Sequence, residues 1–190
     1  MKTQELTKEE SLEIITSMIG EAKRSIAKGG SFYFLLWGFV VAIANFGQYI
    51  LDMIDYGRPY IVWSISIPAA MVTVIYSVKL GRRSGVTSHF DRIYGQIWMV
   101  LGIAMVCTLV FMSKINFNHN AIIMLLAASG TYISGSMLRF KPLIFGGLIL
   151  ILASCVAFTQ TPENQNLVAG IAIIAGYIIP GFLLKKQEGE

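Results

Sequence analysis

The sequence predicts an all-α fold, a polytopic membrane protein with a six-transmembrane-helix bundle behind an N-terminal cytoplasmic amphipathic helix. Three observations predict it. The chain is 55% hydrophobic with only 14% charged residues and a mean hydropathy of +0.64, too few charges to coat a soluble domain of 190 residues. Six apolar runs, about 32–51, 60–80, 95–113, 120–138, 142–159 and 165–184, each approach the roughly 20 residues that cross a hydrocarbon core. Finally, the 15 Lys and Arg residues sort by the segments between those runs.

The N-terminal tail, the second and fourth inter-span loops and the C-terminal tail hold 13 of them, counting Lys79 at the inner end of the second run, whereas the alternate loops hold only Arg58 and Lys114. Such a positive-inside bias places both termini in the cytoplasm. Three domains follow: 1–31, amphipathic helix and Gly-Gly linker; 32–184, the transmembrane bundle; and 185–190, a cytoplasmic tail. With about 120 residues in the bilayer, no room remains for a second soluble domain. The basic pI of about 9.1 is then a matter of lipid-boundary charge and not of nucleic-acid binding.

Residues 7–28 have the character of a soluble helix. Thr7-Lys8-Glu9-Glu10 is a capping-box pattern. Glu9, Glu10 and Glu13 complement the positive end of the helix dipole, and Lys23, Arg24 and Lys28 the negative end. Leu12, Ile15, Ile19, Ala22 and Ile26 fall on one face, a candidate partner-binding stripe that lies on the membrane surface, packs under its own bundle, or contacts a second copy or another protein. Gly29-Gly30 breaks the helix before the first span. Ala42-Ile43-Ala44 resembles a signal-peptidase site, but the acidic segment before it and the apolar run past it to Leu51 favour a retained span.

Within the spans, Trp37 and Trp98 near one boundary and Tyr49, Tyr60 and Trp63 near the other read as an aromatic belt. Cys107 and Cys155 fall in spans three and five and read as small packing residues. A Gly about five residues into spans one, three and five (Gly38, Gly102, Gly146) and a Tyr near the inner end of spans two, four and six (Tyr76, Tyr132, Tyr177) suggest three hairpin repeats.

The motifs Phe34-Leu35-Leu36-Trp37-Gly38, Lys141-Pro142-Leu143-Ile144-Phe145-Gly146-Gly147 and Gly176-Tyr177-Ile178-Ile179-Pro180-Gly181 through Lys186 resemble a group of small six-span bacterial membrane proteins without an assigned activity. The resemblance implies a bacterial inner-membrane protein and supplies no catalytic residue.

Apart from Lys79 at the inner end of the 60–80 run, no Asp, Glu, Lys, Arg or His falls inside an expected hydrocarbon segment, which disfavours a proton-coupled transporter. Neutral groups remain. Asn45, Gln48, Ser134 and the helix-interrupting Pro68 and Pro180 form a candidate solute path, although helix packing explains the Ser, Thr and Pro residues as well. Gly130 with Ser134, and Thr131 with Gly135, are small-xxx-small pairs. In the loop 81–94, Arg82, Arg83 and Arg92 suit lipid headgroups or an anion, and His89 with Asp91 is too sparse a pair for a metal or acid–base site. Asn118-His119-Asn120 beside Asp52 and Asp55 offers contacts to a divalent ion without amounting to a metal site.

The sequence therefore predicts no enzyme, no cofactor, no metal and no nucleic-acid partner. It predicts an integral membrane protein with a structural, regulatory or sensory role through self-association or a protein partner. The alternative is a carrier or channel for a small neutral or hydrophobic solute.

Overall fold

The computed structural model describes residue 7, residues 29–84 and residues 89–189, without the side chains of 82–84 and 89–91. The stripe Leu12, Ile15, Ile19, Ala22 and Ile26 lies outside the described residues, as do the side chains of Arg82, Arg83, His89 and Asp91. Everything regular among the described residues is helical. In chain order the elements are α1 (Gly30–Met53), a 3-10 segment (Pro59–Ile65) running into α2 (Ser66–Ser84), and α3 (His89–Val110). A short 3-10 turn (Met112–Ile115) leads to α4 (His119–Leu138) and α5 (Lys141–Ala157). The last rod is α6 (Pro162–Ile173), a π turn (Ile174–Ile178) and α7 (Ile179–Glu188).

Five of these helical rods are long and apolar enough to cross a membrane, which marks a multi-pass membrane protein. The fifth expected span, α5, is apolar but has 17 residues. At 1.5 Å per residue it is about 26 Å long, a few ångströms under a typical hydrocarbon core. Its start is set by Phe140, extended as the N-cap, and by Pro142 in the first turn, where a missing N–H costs nothing.

The core is a four-rod bundle of α1, α4, α5 and α6–α7, closed by Phe34, Ala44, Met124, Ala128, Leu143, Leu150 and Tyr177. Glycines set its close crossings. A Cβ at Gly135 would lie 2.6 Å from the Ile144 nitrogen, and one at Gly147 2.9 Å from that of Tyr132, so α4 and α5 touch backbone to backbone. Gly146 and Gly176 make the same close approach between α5 and the π turn, where a Gly146 Cβ would sit 2.5 Å from the Gly176 carbonyl oxygen. Pro180 supplies the reason. It cannot donate to that carbonyl, the helix widens into a π turn there, and the oxygen is turned onto the α5 glycine. Pro68 marks the matching change on α2, where 3-10 winding gives way to α winding.

Helices α2 and α3 lie outside this core. α2 packs chiefly on α1, where Trp37 Nε1 donates to Thr73 Oγ1 at 3.1 Å. α3 packs chiefly on α4, through Trp98 and Leu101 against Gly130. Trp37 and Trp98 are therefore helix-to-helix staples more than a surface belt. Cys107 and Cys155 are free and exposed, not packed in the interior as expected. Gly38 meets Ile178 and Gly146 meets Gly176, but Gly102 has no heavy atom within 4 Å, so the three glycines of the suggested repeat are not equivalent.

At one end of the bundle the start of α1 meets the end of α7. Gly29 takes φ 89°, the left-handed conformation that ends the preceding segment and starts α1. Glu188 then accepts from the Ser31 backbone N–H at 2.8 Å and from Ser31 Oγ at 2.6 Å, so a carboxylate from α7 caps the positive end of α1. Arg139, Lys141, Lys185 and Lys186 lie towards this end, and Arg58 and Lys114 fall in the turns of the opposite one.

Candidate functional site

That opposite end carries the densest buried polar group among the described residues. α1 finishes there, and α4 and α6 begin there, so free backbone donors and acceptors concentrate in one layer. Amide side chains fill it. Asn120 Nδ2 donates to Asn166 Oδ1 at 2.6 Å, both residues buried, and Asn166 Nδ2 reaches Asp52 Oδ2 at a longer 3.4 Å. Gln48, one turn before Asp52 on α1, accepts at Oε1 from Trp63 Nε1 at 2.6 Å. Gln165 Nε2 donates to Asn118 Oδ1 at 2.8 Å. The Asn120–Asn166–Asp52 chain ties α4, α6 and α1, the Gln48–Trp63 bond joins α1 to the 3-10 segment, and Ser154 Oγ brings in α5 through a 2.8 Å bond to the Ala121 carbonyl.

Three atoms in or below this layer have no hydrogen-bond partner: Gln165 Oε1, His119 Nδ1 and, deeper on α1, Asn45 Oδ1. The Asn45 amide is held in place because Nδ2 donates to the Val41 carbonyl at 2.8 Å; turning it would set oxygen against oxygen. All three atoms are able to accept, and an unmet buried acceptor costs about 1–3 kcal/mol. Asp52 supplies a partly exposed carboxylate, with Glu163 as an electrostatic neighbour. The layer therefore favours a group that brings donors or positive charge. It holds no nucleophile paired with a base, and among the described residues no cluster of three His, Cys, Asp or Glu could hold a metal ion.

The expected solute path divides. Asn45 and Gln48 lie on one face of α1, with Gln48 bonded to Trp63 and Asn45 about two turns below Asp52. Ser134 lies nearer the other end, giving its proton to the Gly130 carbonyl at 2.6 Å, with Tyr94 Oη at 3.2 Å. Pro68 is exposed on peripheral α2, and Pro180 is buried against Gly146. Thr108, Ser129 and Thr131 bond the carbonyl four residues back in their own helices, the packing explanation of these hydroxyls. Arg92 is exposed in the first turn of α3.

Three functional-looking residues are absent from the sequence reading. Gln165 and Asn166 fall at the very start of the expected sixth span, 165–184, where amides are ordinary boundary residues; the signal for them is a Gln-Asn pair one turn inside a helix opened by Pro162. Glu188 looked like tail, and nothing local shows that it reaches back to Ser31. Comparison with protein-family models, with curated proteins and with solved structures gave no match.

Proposed function

We propose that this chain is a non-enzymatic, six-span inner-membrane protein with cytoplasmic termini that acts by association within the membrane, with its own copies or with a membrane partner. The observation that carries this reading is the position of α2 and α3. Each leans chiefly on one core helix, and the apolar windows of their sequences are 6% and 0% buried. On α3, Gly95 and Gly102 stand one heptad apart with open space beside them, beside the exposed Met99, Ile103 and Val106. Small residues on a lipid-facing helix let a second backbone approach closely, the common route to helix pairing in lipid. Cytoplasmic segment 1–28, with its stripe from Leu12 to Ile26, and Arg82, Arg83 and Arg92 are the corresponding proposals for a partner or lipid contact on the cytoplasmic side.

Val106 provides the test, since it is exposed on the Gly95–Gly102 face of α3. Mild oxidation of native membranes carrying the Val106→Cys, Cys107→Ser, Cys155→Ser chain should give a dimer linked through position 106 or a defined hetero-adduct. Gly95→Leu with Gly102→Leu should abolish it. A chain that stays monomeric, captures nothing and ignores both glycine changes refutes the reading.

A second reading has its own observation. The buried acceptors around Asp52 suit recognition of a small donor-rich or cationic solute at the non-cytoplasmic end, with Asn45 below. Uptake or binding that survives Asp52→Asn together with Asn166→Leu would exclude it.

A further inference from the structure

A groove of about 440 Å³ opens at the end of the bundle where the start of α1 meets the end of α7. Its wall is apolar, built by Leu35, Leu36 and Phe39 from α1, and its rim is polar, built by Tyr76 of α2 with Lys185 and Glu188 of α7. We propose that this groove is a binding site for a zwitterionic phospholipid whose headgroup carries a primary ammonium.

Position and charge together select that occupant. The groove begins beside Gly29 at the start of α1 and runs past Phe39, from the basic end of the bundle onto the apolar flank. A soluble ligand would meet a wall too apolar for it, whereas an amphiphile matches both parts. The charges at the rim come as one cation and one carboxylate, not as the basic cluster that selects anionic lipids. Lys185 suits the phosphate. Glu188 already accepts two bonds from Ser31, but a carboxylate has about four acceptor positions, so it retains capacity for an ammonium N–H. Lys185 and Glu188 are three residues apart on α7, so they share a helix face as the two charges of one headgroup do. Leu35, Leu36 and Phe39 then receive the first carbons of an acyl chain, whose remainder lies along the open flank.

This inference needs only a chain seated in a bilayer, so it stands or falls separately from association through α3. The test is native mass spectrometry of the full-length protein after equilibration with phosphatidylethanolamine, phosphatidylglycerol or phosphatidylcholine. Phosphatidylethanolamine should be retained with a preference of about tenfold, the scale of one charge-assisted contact. Phosphatidylcholine lacks the N–H donors, and phosphatidylglycerol lacks the cation, so both should dissociate first. Lys185→Glu should weaken retention of all three lipids, which share the phosphate, and Glu188→Gln should remove the preference among them; Lys186→Glu, a neighbouring charge outside the groove, should change neither. Equal retention of the three lipids, a preference for phosphatidylglycerol, or equal losses from Lys185→Glu and Lys186→Glu would overturn the proposal.

Discussion

Replacing Gly146 by Ala should damage this protein far more than its size suggests. The added methyl carbon would lie 2.5 Å from the Gly176 carbonyl oxygen and 3.0 Å from Pro180 Cγ. Ordinary carbon contacts lie at about 3.5–4.0 Å, so α5 must retreat by most of an ångström. Neither partner yields cheaply: one is backbone, and the other is a ring that fixes the π-to-α junction. Overpacking costs about 1–3 kcal/mol, and the backbone contact puts this case at the upper end. Gly102→Ala is the internal control, because no heavy atom lies within 4 Å of its Cβ position. There the helix gains roughly 0.5–1 kcal/mol from the better helix former. The two variants should therefore differ by about 3 kcal/mol, on the order of a hundredfold in the folding equilibrium. Reversible unfolding of the purified protein in mixed detergent micelles measures both. Similar stabilities for Gly146→Ala and Gly102→Ala would refute the close α5–α7 crossing.

Three further outcomes follow from the same geometry. Glu188→Gln should lower the unfolding midpoint by weakening the two bonds to Ser31 and the charge at the α1 N-terminus, a loss of about 1–2 kcal/mol; Ser31→Ala made on top of it should cost little more. Asn120→Leu and Asn166→Leu should each cost about 1–3 kcal/mol by leaving an amide unpaired, and the double variant clearly less than the sum. Gly29→Ala should cost at least about 1 kcal/mol, since the residue must hold φ 89° with Tyr76 Oη 2.8 Å from the new carbon; a melt unchanged from the parent chain would contradict that conformation.

Much of this architecture can be read from composition, because apolar runs and the glycine break are local signals. Gly29-Gly30 marks the start of α1 for a backbone reason that needs no neighbour. The widened turn before Pro180 is half legible: the proline announces a lost hydrogen bond, but only the facing Gly146 shows where the freed carbonyl goes. Which helices form the core is not legible. The spans of α2 and α3 are as apolar as the others, yet hydropathy cannot distinguish lipid from protein as the covering medium. Asn45 and Gln48 are identifiable as intramembrane amides, but their neighbours Asn120 and Asn166 are brought in from helix starts 46 residues apart in sequence. The exposed Cys107 and Cys155 fail for the same reason: a small apolar residue gives no sign of which face it occupies.

The central proposal is a bundle whose helices, the 17-residue α5 included, all cross the membrane, with the start of α1 and the end of α7 at one face. The most direct measurement is labelling of single cysteines at positions 58, 116, 139, 160 and 189 in a Cys107→Ser, Cys155→Ser chain, using a membrane-impermeant thiol reagent on intact cells. Positions 58, 116 and 160 should react at once, and 139 and 189 only after permeabilisation. Equal reaction at 139 and 160 would show that α5 does not cross, and reaction at 189 before permeabilisation would contradict the shared face of the start of α1 and the end of α7.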